Sequence, residues 1–481
     1  MTVQVGDQHT SRDRISCAVE RRVEYPSLIR PLPREAATTG SNTLLAFLVA
    51  LISLLTPTAT TLELNQAMND TDVPDLPDYA ARGALRGDGA SSPPLHHKES
   101  PFFAADRAAF WRQLRELGPV VKIDAGDPLL HGYYLTRRDD VRAALLDPQT
   151  FASPPKTFAI QLFGAPLPQV PLSIGTRSEH ARFGKVLHPL FSPRALAPFA
   201  GDLRARAAKL ADKISDRRQC DAVDVADTYA SQALFMVCGL PPDDARAAQM
   251  ASAAVIGDTT GQAQLELVRW LNTSFDAGLS DPERPPGILW PLLEQLAGDK
   301  DFPLTQVEVA SVILLLFSVA GIEMVASAIT FALLHLARDP QLRAQLREDP
   351  AQIPAFAEEI FRLEPPGPAI PRVTTRKVEI GGVAIPAFSS VWLALEAAGR
   401  TNGGDEITRG SHGEVRRQRH WAFGGGMHRC LGMHLARLEM DAFLTEWLNR
   451  IPNFELKPGF TPTVVHKPTS VTHLRRLKLR W

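Results

Sequence analysis

The stretch from Trp421 to Ala436 constrains the fold more than any other part of this chain. Its three consecutive glycines, 424–426, let the backbone turn tightly and lie close against a large flat group. From Leu431 onward, apolar residues recur at helical spacing, which predicts a helix directly after Cys430. Free N–H groups at a helix N-terminus stabilise a thiolate. The sequence therefore predicts a metal-ligand loop with a lowered pKa for the Cys430 thiol.

Other readings of this loop remain open on the residues alone. A lone cysteine is most often a small buried hydrophobic residue. A zinc site could use Cys430, His428 and His434, although no second Cys or His pair at finger spacing accompanies them. A phosphate-binding loop is excluded because no Lys-Ser or Lys-Thr follows the glycines.

The spacing of Phe423, Gly426, His428, Cys430 and Gly432 resembles the cysteine-ligand loop of the cytochrome P450 family. The resemblance implies a mainly α fold with a small β region, built as one large domain around haem b (iron protoporphyrin IX). It also implies that Cys430 is the axial ligand of the iron and that Phe423 shields the sulfur. The two glycines would give the backbone room, and His428 would bind a haem propionate.

A long apolar helix is predicted upstream of this loop. Thr305 and Glu308 form a capping box, and the chain is strongly apolar from Val309 to Val325. That run could be taken for a membrane span. However, Glu323 lies inside it, and a buried carboxylate is costly unless it has a partner or a task. An ordinary paired core acid is the plain alternative.

Within this helix, Ala320-Gly321-Ile322-Glu323 resembles the oxygen-binding signature of the same family. The resemblance implies that Ala320 and Gly321 leave space above the iron and permit a local bulge, and that Glu323 relays protons. The family usually continues with a threonine, whereas this chain has Met324. A substrate hydroxyl, an ordered water or Ser327 could supply the missing donor.

Two further positions resemble the family's propionate anchors. His180 lies in a helix predicted from Ser178 to Val186, and Arg372 follows a proline-rich extended stretch. The family commonly places an arginine four residues after the histidine, where this chain has Gly184. We expect weaker propionate anchoring from that departure.

Glu359 and Arg362 lie three residues apart on one predicted helix face and resemble the family's structural ion pair. The following segment Asn402–Gly413 is glycine-rich and lacks the proline and phenylalanine usual there, which predicts weaker support for the cysteine loop. One arginine of the next cluster is expected to join the ion pair, and the others to dock an acidic electron donor. The cluster comprises Arg416, Arg417 and Arg419.

Composition limits the remaining possibilities. With 481 residues, 44% hydrophobic content and a net charge of −1, the chain is globular and carries no bulk charge for nucleic acid. Its four cysteines show no pairing pattern, so no disulfide framework and a reducing, cytoplasmic location are expected.

Residues 1–67 differ from the rest of the chain, and we expect the catalytic domain to span 68–481. Leu44–Leu55 is an apolar run that is short for a membrane span but long enough for a signal-peptide core. Membrane association or export through residues 44–55 is one alternative. A disordered extension or a start placed too far upstream is another, because Met68 opens a polar stretch similar to soluble bacterial members of the family.

The activity implied by the resemblance is monooxygenation of an apolar small molecule, with electrons from a ferredoxin-type or flavoprotein donor. A P450-fold haem protein that uses peroxide, or that catalyses isomerisation or dehydration, is an alternative. Haem binding without turnover and a non-haem, membrane-associated helical protein are two more.

Overall fold

A helix of three segments runs through the middle of the fold from Gln306 to Arg338. It begins at the predicted capping box, in which Thr305 Oγ1 accepts the Glu308 N–H at 3.3 Å and the Glu308 carboxylate accepts the Thr305 N–H at 2.8 Å. Most side chains of its last segment are buried, so this helix forms the centre of the core. The computed structural model describes residues 107–123, 131–154, 177–242, 262–299, 301–466 and 471–481.

Helices dominate the described residues, as the sequence predicts. The predicted helices that fall within these residues are present, with bounds that differ by a few residues. The helices are α1 Arg107–Leu117, α2 Arg138–Leu146, α3 Arg177–Leu187, α4 Pro193–Leu196, α5 Ala200–Ser215, α6 Ala222–Cys238, α7 Gln262–Ser280, α8 Trp290–Gly298, α9 Gln306–Leu315, α10 Met324–Arg338, α11 Pro340–Glu348, α12 Ile353–Leu363, α13 Leu395–Gly403 and α14 Met433–Arg450.

Between α9 and α10 the chain forms a π-helix, Leu316–Glu323, in which the backbone is wider than in an α-helix. Gly321 has no room for a side chain there. A β-carbon at this position would lie 2.7 Å from the Leu316 carbonyl oxygen and 2.9 Å from Leu234 Cδ2. The local bulge expected around Ala320 and Gly321 is therefore confirmed.

In the described residues, the β region consists of one five-stranded sheet and three small ones. The large sheet has the order β1-β2-β8-β5-β3, with β2 and β8 parallel and the other pairs antiparallel. The strands are β1 Val120–Ile123, β2 Gly132–Leu135, β3 Phe151–Ala152, β4 Gln219–Asp221, β5 Ile370–Thr374, β6 Val378–Ile380, β7 Val383–Ile385, β8 Ser390–Leu393, β9 Glu455–Leu456, β10 Val464–His466, β11 Thr472–Leu474 and β12 Lys478–Arg480.

The sequence also predicts a hairpin over Val378–Pro386 and a further strand over Val391–Leu395. The hairpin predicted over Val378–Pro386 is present, with Gly381 and Gly382 at its turn. The strand predicted to reach Leu395 ends at Leu393, because Leu395 already begins α13.

One helix of the described chain, Ala320–Arg338, is long and apolar enough to cross a membrane, and 78% of it is buried inside the fold. Its contacts with neighbouring helices account for its apolar composition. The predictions about residues 1–67, including the run at 44–55, lie outside the described residues.

Candidate active site

The glycine-rich loop before Cys430 has the tight backbone that its sequence predicts. Gly424 and Gly426 both have φ of +64°, a conformation that favours glycine. At Gly426 a β-carbon would also lie 2.5 Å from the Leu145 carbonyl oxygen, so the loop packs directly against α2. The Cys430 N–H donates to the Phe423 carbonyl at 2.8 Å, which closes the loop.

The Cys430 side chain is exposed, two residues before the helix-capping Gly432. Desolvation by the surrounding protein atoms raises the pKa of the Cys430 thiol. Backbone N–H groups of Gly432 and Met433, together with the Arg437 and Arg429 charges, act in the opposite direction without outweighing it. The predicted lowering of this pKa is therefore wrong for the polypeptide alone, although the predicted thiolate-stabilising groups are present.

Phe423 lies in an aromatic and cationic contact next to the loop. Its ring is 4.7 Å from the Phe361 ring, and the Arg437 guanidinium stacks over it at 4.7 Å. Glu358 holds that guanidinium through hydrogen bonds of 2.6 and 3.1 Å. The position of Phe423 is thus set from α12 and α14 together.

Two of the predicted propionate anchors lie together. The His180 and His428 rings meet edge to face with centroids 4.7 Å apart. His428 Nε2 forms a hydrogen bond with Ser153 Oγ at 2.9 Å. Desolvation, together with the smaller effects of the nearby His428 and His188, lowers the pKa of His180 to about 4. His180 is therefore neutral at pH 7 and offers a hydrogen bond rather than a charge.

Arg372 is a buried cation on β5. It is 7% exposed, and desolvation lowers the pKa of its guanidinium to about 10. Its Nη1 donates to the Pro371 carbonyl at 2.7 Å, and no carboxylate pairs with it among the described residues. The register of β3 on β5 pairs Ala152 with Val373, so the next residue, Ser153, follows on towards Arg372. Ser153 was missed by the sequence reasoning, since only this strand pairing brings it near the predicted anchors.

The predicted oxygen-binding turn lies in the π-helix. Ala320 is exposed and Gly321 partly exposed, although the helix around them is mostly buried, whereas Glu323 is 7% exposed. The Ser327 hydroxyl donates to the Thr472 carbonyl at 2.6 Å, and both residues are buried. Ser327 is therefore already committed to a structural hydrogen bond, and Met324 has no O–H group.

Gly184 leaves the anchor position on α3 without a cation, as the sequence indicates. The two neighbouring basic residues point elsewhere: Arg182 forms an ion pair with Glu308, and Lys185 is exposed.

Glu359 and Arg362 form the predicted ion pair, with N–O distances of 2.7 and 3.0 Å and no exposure of either side chain. The expectation that one arginine of the 416–419 cluster joins them is wrong. Those arginines are exposed, and Arg416 pairs with Glu414 instead. Most of the remaining hydrogen bonds of the pair go to backbone groups of the glycine-rich segment and of Gly399 and Gln418 on either side of it.

These backbone contacts hold the segment that lacks the usual proline and phenylalanine. Arg362 donates to the carbonyls of Gly404 and Glu406 at 2.9 and 2.6 Å. Glu359 accepts the N–H groups of Thr408 and Gln418 at 2.9 and 2.8 Å. The main chain therefore supplies the support that side chains were expected to give.

The zinc interpretation finds no support in the donor arrangement. Across the described ranges, no group of three or more His, Cys, Asp or Glu side chains is placed to hold a metal ion. What the site does offer is an exposed cysteine, a buried guanidinium with no carboxylate partner in the part of the chain that the structure describes, and a pair of histidines. That set suits a planar anionic cofactor whose metal takes an axial thiolate.

Comparison with known proteins supports the same conclusion. A family model described as Cytochrome P450 matches residues 279–402 and 408–479. The break between these two parts falls inside the glycine-rich segment. "Probable cytochrome P450 127A1" of Sinorhizobium fredii (strain NBRC 101917 / NGR234) is 32% identical over 340 residues, which is 69% of this chain and 79% of that protein.

A second relative and a solved structure extend the match over more of the chain. The "6-deoxyerythronolide B hydroxylase" of Saccharopolyspora erythraea is 28% identical over 390 residues, covering 74% of this chain and 92% of that protein. The tirandamycin C-bound P450 monooxygenase TamI superposes with a TM-score of 0.68 at 24% identity, covering 80% of this chain and 100% of that one. This last likeness concerns the fold alone.

Proposed function

This chain belongs to the cytochrome P450 family and is a haem-thiolate monooxygenase, and from that premise we propose how its own residues serve the reaction. The Cys430 sulfur would hold the iron of haem b, and the substrate would be an apolar small molecule that receives one atom of O₂. The observation that carries the proposal is the Cys430 loop, in which an accessible sulfur faces two backbone N–H groups.

The residues present fit a haem. Arg372 is a buried guanidinium whose charge no carboxylate among the described residues balances, and two haem propionates would supply that balance. His180 and His428 would hold the propionates through ring N–H groups, and Ser153 would fix the orientation of His428. When bound, the thiolate-ligated haem supplies the iron centre that activates O₂ with two electrons from a redox partner.

Around that centre, the polypeptide determines how much space is free and which groups deliver protons. Ala320 and Gly321 leave room beside the π-helix because neither carries a bulky side chain. Glu323 is the buried acid we assign to proton relay. Because Ser327 is bonded to Thr472, the hydroxyl that Met324 does not provide would come from the substrate or from an ordered water.

Substrate and electron donor are proposed at the level of chemical class. The relative named as a hydroxylase of 6-deoxyerythronolide B supports hydroxylation of an organic small molecule. Arg416, Arg417 and Arg419 are exposed, which supports docking of an acidic ferredoxin-type or flavoprotein donor. We further propose that residues 68–481 form the P450 domain, in the cytoplasm and without nucleic-acid partners.

The test is the absorption spectrum of the reduced, carbon monoxide-bound protein. We expect a thiolate-type Soret band in the wild type, its loss in Cys430→Ala, and its retention in Cys220→Ala, a half-buried cysteine elsewhere in the fold. Folded wild-type protein without bound haem would refute the proposal. Turnover driven by peroxide but not by reduced donor would favour the peroxide-dependent alternative.

A further inference from the structure

Three residues follow one another at four-residue spacing along one side of α3 and its C-terminal end: His180, Gly184 and His188. His180 and Gly184 are buried, and His188 follows the last residue of the helix. The His188 N–H still donates to the Gly184 carbonyl at 3.0 Å, so His188 keeps helical register with the other two.

The His188 ring lies over Gly184. A β-carbon at residue 184 would be 3.2 Å from His188 Cε1 and 3.6 Å from each ring nitrogen. The polar edge of the imidazole thus occupies the space into which a side chain at 184 would extend. Glycine inside a helix costs about 1 kcal/mol relative to alanine, and here it makes room for the ring.

His188 also adjoins the histidine cluster described above. Its ring centroid is 6.5 Å from that of His180, which in turn is 4.7 Å from His428. His188 is exposed, so its ring nitrogens are accessible to a ligand. Arg372 and these three histidines all carry N–H groups that can donate to a carboxylate.

We propose that His188 binds a haem propionate and so replaces the anchor that Gly184 cannot provide. The proposal rests on the haem binding stated above. His188 reaches back along α3 from beyond its C-terminal end, where an anchor at residue 184 would project directly from the helix. The chain therefore anchors its cofactor with three histidines and one arginine.

The test compares the full-length wild type with His188→Ala, His188→Gln and, as a control, Lys185→Ala, an exposed cation on the same helix. Each protein is loaded with haem, checked by its carbon monoxide spectrum, and mixed with excess apomyoglobin to follow haem transfer. We expect transfer about fivefold faster from His188→Ala, because one partly exposed hydrogen bond is lost. His188→Gln should recover part of the difference, and Lys185→Ala should match the wild type.

The outcomes separate this inference from the proposed function. Normal haem binding with equal transfer rates from wild type and His188→Ala overturns the role of His188 alone. So does faster transfer that is accompanied by an equal loss of apoprotein stability, because that result makes the residue merely structural. Folded wild-type protein that binds no haem overturns both.

Discussion

Glu358 links the cysteine loop to α12 through its charge. Burial acts to raise its pKa, but hydrogen bonds from His420 and Arg437 outweigh burial and lower the pKa of Glu358 to about 2. Arg437 in turn stacks on Phe423, whose carbonyl accepts the Cys430 N–H. A single carboxylate therefore helps to fix the geometry of Cys430, the proposed iron ligand.

Replacing Glu358 with glutamine should destabilise the protein in a pH-dependent way. Because the folded-state pKa lies below the ordinary value of 4.5, the stabilisation is fully present above pH 4.5 and is lost as pH falls towards 2. We expect the variant to be less stable by about 2 kcal/mol at pH 6, with the difference shrinking below pH 4.5. Urea unfolding at several pH values measures this.

Glu348→Gln is the matched control, since Glu348 is an exposed carboxylate on the neighbouring α11. If the difference in unfolding free energy between wild type and Glu358→Gln stayed constant from pH 6 to 3, the proposed link between the Glu358 pKa and stability would be contradicted.

At the same scale, the motif residues were predictable because the cysteine loop is a contiguous stretch in which each residue has a local task. Ser153 was not predictable, since its partner His428 is 275 residues away in sequence. The pKa of Cys430 was predicted in the wrong direction, because helix position is readable from sequence whereas desolvation depends on the packed surroundings.

At the scale of elements, the π-helix is the feature that most departs from regular structure. The sequence indicates a bulge from the small residues Ala320 and Gly321, but not its eight-residue extent. That extent depends on tertiary neighbours such as Leu234, which packs against Gly321 from α6. Hairpin and helix positions were predictable because turn residues and apolar spacing are local signals.

Gly321→Ala should reverse the usual effect of this substitution. Alanine normally stabilises a helix by up to about 1 kcal/mol relative to glycine. Here the new methyl group would meet the Leu316 carbonyl oxygen at 2.7 Å, and backbone cannot easily move away. We expect the free energy of unfolding, measured by denaturant titration, to fall by about 1–3 kcal/mol.

Gly298→Ala provides the comparison, because nothing lies within 4 Å of a β-carbon at that helix end. It should be neutral or slightly stabilising. Equal behaviour of the two variants would argue against a crowded π segment.

For the whole molecule, buried contacts between distant segments determine whether the site can form. Glu359 and Arg362 hold the glycine-rich segment through hydrogen bonds to its backbone. Ser327 likewise holds β11 through its hydrogen bond to the Thr472 carbonyl. The sequence predicted the mainly helical fold through its family resemblance. It could not predict that main-chain groups, rather than an arginine of the 416–419 cluster, would complete the Glu359–Arg362 pair, because almost any residue can make a backbone hydrogen bond.

Glu359→Ala should therefore release that segment. The substitution leaves Arg362 buried without its carboxylate, and we expect the free energy of unfolding to fall by about 3–5 kcal/mol. The N–H groups of Thr408 and Gln418 lose their acceptor, so their hydrogen exchange should accelerate. Glu414→Ala, which removes a partly exposed carboxylate directly after that segment, should leave both exchange rates unchanged. Unaltered exchange in Glu359→Ala would show that other contacts hold the segment.

The hydrogen bond between Ser153 and His428 also bears on when the site can assemble during synthesis. The two residues are 275 positions apart in the sequence. A ribosome must therefore have translated the whole intervening stretch before the two can meet, and contacts of such large sequence separation form late in folding. We expect haem capture to wait until the loop that carries His428 and Cys430 has been synthesised, and products that stop before this loop would expose apolar helices without acquiring a cofactor to stabilise them.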